Sequence, residues 1–136
     1  MHSVNTAVQE FGQALGLPHL VLDPAGTSSF AIGEHTWTLQ WDDHTHALLL
    51  VCAVNAPHST GAQIETALWA CNAHSQTAQP PGTFRLGLRG QGSARQWVGC
   101  LRLRQPLSAA ALLEGIDTLA QWMQQCTREA GVAEVF

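Results

Sequence analysis

Between residues 36 and 41 the apolar side chains fall on every second position. Trp37, Leu39 and Trp41 alternate with Thr36, Thr38 and Gln40, and the run "ALLLVCAV" follows after "DDHTH". A period of two is the signature of a strand with one face buried, and a helix cannot satisfy it. Two such runs separated by a few turn-forming residues make a hairpin. Pairing Trp41 with His46 sets Leu39 beside Leu48 and Trp37 beside Leu50. A one-residue slip would put these large groups against Gln40 and the threonines. Upstream, "SFAI" ends at Gly33-Glu34, a two-residue loop with glycine first, so Ile32 pairs with His35 and Phe30 faces Trp37. The three strands form a meander.

Helical spacing brackets the meander. Val4, Val8, Phe11 and Leu15 form one stripe over residues 3–15, with Ser3 as cap and Gly16-Leu17-Pro18 as the stop. A second helix is predicted over 59–74, with Ile64, Leu68 and Cys71 on its stripe and Trp69 off it. Next comes "TFRLGLRGQGSARQWVGCLRLR", which folds as a hairpin on Gly92-Ser93. One of its faces carries Phe84, Leu86, Leu88, Trp97, Leu101 and Leu103. The other carries Arg85, Arg89, Arg102 and Arg104. A last helix, capped by Ser108, repeats Leu112, Ile116, Leu119 and Met123 and ends at Gly131. The expected fold is therefore a single α+β domain over 1–130. Its order is α-β-β-β-α-β-β-α, with a twisted antiparallel sheet, helices on one face, and a loose tail at 131–136.

Several chemistries lose their residues. The chain has no lysine and no tyrosine, which removes the phosphate-loop lysine, Schiff-base chemistry and tyrosine acid–base catalysis. No GxSxG occurs. "GQGSAR" joins two strands rather than a strand and a helix, and its sixth position is Arg95, so it reads as a turn and not a nucleotide loop. A net charge of −4 argues against nucleic acid. No apolar run is long enough for membrane insertion. Cys52, Cys71, Cys100 and Cys126 form no CxxC pair and read as reduced thiols of a cytoplasmic protein.

Asp42, Asp43, His44 and His46 carry metal-ligand chemistry within five residues. Their spacing matches no standard site, and Asp, His and Thr suit a tight connection, so the hairpin turn is the stronger reading. Alternation would turn His44 and His46 toward the face of Trp41 and Leu48. The arginine face suits carboxylates, because guanidinium binds them in bidentate fashion. Trp69, together with Leu49 and Val51 on the polar face of the meander, suits a protein contact.

Taken in order, these segments resemble a known family. "FGQALGLPHLVLDPAGTSSFAIGEHTWTLQWDDHTHALLLVCAVNA", then "LWACNA", "GTFRLGL" and "QWVGCLRLRQPL" before a long helix, are similar to the class I type III secretion chaperones, the CesT/SycE-like group of small effector chaperones. The resemblance covers nearly the whole chain and rests on element order and the placement of "LGLP". It implies a bacterial cytoplasmic homodimer, about 29 kDa from a 14.6 kDa chain, without catalysis or cofactor. Such a dimer binds the N-terminal segment of a secreted effector in extended form and keeps it export-competent. On this resemblance Phe11, Leu15, Leu17, Leu20, Leu22, Phe30 and Ile32 are partner-binding candidates, and Leu49 and Val51 join them from their place on the meander's polar face. Ile64, Leu68, Trp69, Arg85 and Arg102 are dimer-interface candidates. Two other classes stay open: a non-secretory regulatory interaction domain of similar fold, and a small metal-dependent enzyme built on residues 42–46.

Overall fold

In a computed structural model of the chain, the described residues are 2–33, 35–55, 61–63, 65, 69, 82–91, 94–104 and 107–129. Helix α1 (His2–Ala14) leads into β1 (Thr27–Ile32), β2 (His35–Asp42) and β3 (Ala47–Asn55). Strands β4 (Gly82–Arg89) and β5 (Gln96–Arg104) follow, and helix α2 (Ala109–Glu129) closes the chain. Gly61, Ala62, Gln63, Glu65 and Trp69 have helical backbone, on the segment predicted as the second helix. Ile64, Leu68, the Cys71 position and the 131–136 tail lie outside the described residues.

The five strands form one antiparallel sheet in the order β1-β2-β3-β5-β4. The outer hairpins keep the expected registers, with Ile32 opposite His35 and Arg89 opposite Gln96. The central hairpin does not. Trp41 pairs with Leu48, Leu39 with Leu50 and Trp37 with Cys52, two residues along from the predicted register. A two-residue shift preserves every face, so alternation alone could not distinguish the two. Turn chemistry decides it. The Asp42 carboxylate accepts the His44 amide at 3.0 Å and the Thr45 hydroxyl at 2.7 Å, which tightens the turn at the strand end. His46 then takes a left-handed φ of 52° to return the chain, so it is a turn residue and not the first of β3.

One sheet face meets α1 and α2. Val4, Val8 and Phe11 of α1 and Leu112, Leu119 and Met123 of α2 are fully buried against Leu39, Leu48, Leu50, Trp97 and Leu101. The Ser108 hydroxyl accepts the Ala111 amide at 3.1 Å and caps α2 as expected. Close approach of α2 requires Gly99, where a Cβ would run into the Met123 side chain, whereas one on Gly115 would make ordinary contact with Leu103, Leu101 and Leu50 at 3.4–3.5 Å. Trp122 stacks on Phe84 at 4.8 Å between ring centres, anchoring the β4 side.

Candidate functional site

The other sheet face is open, and its composition changes across the strands. Thr27, Ser29, Thr36, Thr38 and Gln40 occupy β1 and β2. Leu49, Val51, Val98 and Cys100 are half-buried at the centre. Arg85 is exposed on β4. Arg102 is half-buried on β5, where it lies 3.9 Å from Asp42. Arg85 donates to the Phe84 carbonyl at 3.0 Å. Burial raises the Cys100 thiol above its ordinary value, and the guanidinium groups of Arg102 and Arg85 partly offset this. Cys52 sits on the core face with no exposure, and desolvation pushes it up to about 12. Both thiols are free.

The 42–46 cluster is occupied by its own turn. Asp42 is held below the usual carboxylate range by the Thr45 hydroxyl and the His44 amide, with a smaller contribution from Arg102. Asp43 accepts the Trp41 indole N–H at 2.6 Å. Alternation turned His44 and His46 toward the face of Trp41; both are exposed in the turn, with the His46 ring 6.2 Å from that of Trp41. The left-handed His46 breaks the alternation on which that expectation rested. No group of three or more metal-ligating side chains occurs among the described residues.

A cleft of about 460 Å³ opens at the β1 edge, lined by Gly16, Leu17, Pro18, His19, Leu20, Ser29, Phe30 and Ala31. The way α1 ends creates it. Gly16 adopts φ 77°, its amide donates to the Gln13 carbonyl at 3.2 Å, and the Leu17 amide donates to the Gly12 carbonyl at 2.7 Å. This pair of bonds is a Schellman motif, with glycine at the position that must be left-handed. The chain then turns again at Leu17–Leu20, where the Leu20 amide reaches the Leu17 carbonyl at 3.1 Å across Pro18 and His19. Gly12 lets this turn lie directly on the helix, since a Cβ there would sit 2.5 Å from the Leu17 carbonyl oxygen and 2.7 Å from the Leu20 Cβ.

The second wall is the edge of β1. The Trp41 amide donates to the Gly26 carbonyl at 2.8 Å, making that a hydrogen-bonded pair. Alternation along an antiparallel ladder then points the N–H and C=O of Thr27, Ser29 and Ala31 away from β2. Those of Thr27 are taken by Asp23: its amide donates to the Thr27 carbonyl at 2.8 Å, and its carboxylate accepts the Thr27 amide and hydroxyl, each at 2.9 Å. These contacts hold Asp23 below the usual carboxylate range. Ser29 and Ala31, which line the cleft, direct theirs outward. The cleft thus combines apolar side chains with a row of backbone donors and acceptors, which suits an extended chain segment.

Of the predicted partner-binding residues, Leu17, Leu20 and Phe30 meet in the cleft. Phe11 stands behind it with its ring 5.6 Å from that of Phe30, and Leu15 and Leu22 pack on the core nearby. Ile32, 37% exposed, is farther along the same edge. Leu49 and Val51 are on the open face and do not join the cleft. Trp69, expected at a protein contact, is 74% exposed on this chain. His19, Ser29 and Ala31 went unnoticed in the sequence, although an "LP" turn after a helix stop was a usable signal for the first.

Fold and site together define a small two-layer α+β domain with one bare sheet edge beside an apolar cleft. The chain belongs to the Tir chaperone protein (CesT) family, whose sequence pattern matches residues 6–116. Among solved structures it is similar to a chain of the HopA1–SchA chaperone–effector complex, with 23% identity and a TM-score of 0.71, covering 93% of this chain and 94% of that one. It is similar also to a chain of the ExsC–ExsE complex, with 23% identity and a TM-score of 0.72 over 93% and 92% of the two chains. At such identities the likeness establishes the α+β fold. Among curated proteins, none matches the chain by sequence.

Proposed function

We propose that this chain is a type III secretion chaperone. It works without catalysis or cofactor in the bacterial cytoplasm and holds the N-terminal segment of a secreted effector in extended form, stable and competent for export. The observation that carries the reading is the cleft itself. Ser29 and Ala31 offer outward backbone groups beside Leu17, Leu20 and Phe30, so an added strand would gain main-chain bonds while its alternate side chains enter apolar space. Membership of the CesT family and the likeness to a chaperone–effector complex favour the same reading. No helix among the described residues is long and apolar enough to cross a membrane.

The working unit is a homodimer. Trp69 is a large exposed aromatic of the kind that anchors contacts, and the half-buried Leu49, Val51 and Val98 lie beside Arg85 and Arg102 on the open face. Copurification from a secreting cell, followed by truncation of the captured partner, tests the function. Binding that survives on an N-terminal fragment supports it. Binding that needs a folded partner domain points instead to a regulatory interaction module.

A further inference from the structure

Charge is partitioned along this chain in an unusual way. All six arginines fall within residues 85–128, all seven histidines within 2–74, and there is no lysine. Through residue 84 the side chains therefore include six carboxylates, those of Glu10, Asp23, Glu34, Asp42, Asp43 and Glu65, and no permanent cation. In this part of the molecule, which contains the cleft, imidazole is the side chain able to attract an anion.

One imidazole stands at the cleft. His19 is exposed in the Leu17–Leu20 turn, directly after Pro18, whose ring fixes the backbone leading into it. The turn is anchored twice, by the Schellman bonds at Gly16 and Leu17 and by its contact with Gly12. The other cleft-lining side chains are apolar or are those of Gly16 and Ser29, and the Ser29 hydroxyl is paired with that of Thr38 at 3.2 Å on the open face. Among the described residues, no other titratable group lines the cleft. The nearest in sequence are Glu10 on α1 and Asp23, whose carboxylate is taken by Thr27. On β2, His35 stands opposite Ile32 beyond the cleft.

We propose that His19 is a specificity-determining residue of the cleft, selecting an extended apolar segment that carries an Asp or Glu carboxylate beside its apolar stretch. The proposal rests on the strand-capturing role of the cleft given above. Backbone pairing at Ser29 and Ala31 is indifferent to side chains, and Leu17, Leu20 and Phe30 distinguish apolar from polar. The His19 ring distinguishes acid from amide and disfavours a cation. The imidazole donates a ring N–H to the carboxylate, whose charge makes it a stronger acceptor than the neutral amide.

The test uses synthetic strand peptides of about nine residues, alternating Leu and Thr. Glu, Gln or Arg is moved along the polar positions, and binding to the full chain is measured by fluorescence polarisation. At one position Glu should bind about fivefold more tightly than Gln, a ratio at the upper end for a solvent-accessible charge pair. This ratio should vanish in His19→Gln and persist in His19→Arg. Equal binding of Glu and Gln peptides at every position, or a preference that survives in His19→Gln, overturns the role of His19 while strand capture stands. Failure of every peptide to bind overturns both. His19 is exposed in a turn, so both variants should melt like the parent.

Discussion

Replacing Gly12 by alanine sets two effects of opposite sign against each other. Inside a helix the change is ordinarily favourable by about 0.5–1 kcal/mol, because glycine loses more backbone freedom on folding. Here the new methyl would sit 2.5 Å from the Leu17 carbonyl oxygen and 2.7 Å from the Leu20 Cβ. Both distances are far inside van der Waals contact, and one neighbour is backbone, so the Leu17–Leu20 turn must move away. That weakens the Leu17-to-Gly12 hydrogen bond, at about 1 kcal/mol, and disturbs a buried Leu20, with about 1–3 kcal/mol typical for overpacking. The net expectation is a loss of about 1–3.5 kcal/mol, or about 3–10 °C in Tm for a chain of this size. The assay is thermal melting beside partner copurification, and capture should suffer more than stability because the displaced turn is a wall of the cleft. A Gly12→Ala protein that melts higher and captures its partner normally would refute the packing of this turn on α1, and with it the cleft geometry.

The remaining expectations concern the dimer, the turn and the thiols. Trp69→Ala should keep the fold to within about 0.5 kcal/mol, as exposed substitutions do, while shifting the mass in light scattering from dimer to monomer. An unchanged dimer would remove Trp69 from the interface. Asp42→Asn should lower stability near neutral pH, and the gap to the parent should close as pH falls below the ordinary carboxylate value of 3.8. The sign follows from a folded-state pKa that is lowered: the carboxylate contributes above the unfolded value, and its contribution is lost as pH drops through the folded one. A gap that stays constant to low pH in denaturation curves would contradict this. At pH near 8, alkylation followed by peptide mapping should mark Cys100 well before Cys52, whose thiol is fully buried and pushed up to about 12. Equal labelling would contradict the burial.

The faces of the sheet were legible in the sequence because a period of two survives any even shift in register. The same property hid the register of the central hairpin. Trp41 faces the core whether it pairs with His46 or Leu48, and the choice is made by the Asp42 side chain and the left-handed His46. Gly16 could be read as a helix stop because left-handed backbone favours glycine. The role of Gly12 could not, because it depends on a turn folding back onto the helix. Ser29 and Ala31 acquire meaning only from the strand order, which leaves β1 at an edge, and alternation does not encode that order. The histidine–aspartate cluster attracted attention by residue type, yet the carboxylates close a turn. His19 was signalled only by the "LP" turn after the helix stop, because a single polar residue in a loop has no periodicity.

The central claim is that a partner segment pairs with the outer edge of β1. Amide hydrogen exchange, compared between the free chain and its complex with an N-terminal effector fragment, measures this residue by residue. The account predicts slowed exchange at Ser29 and Ala31, whose amides point outward in the free chain, together with the Gly16–Leu20 turn. Protection confined to β4 or the open sheet face, with Ser29 and Ala31 exchanging as in the free chain, would contradict it.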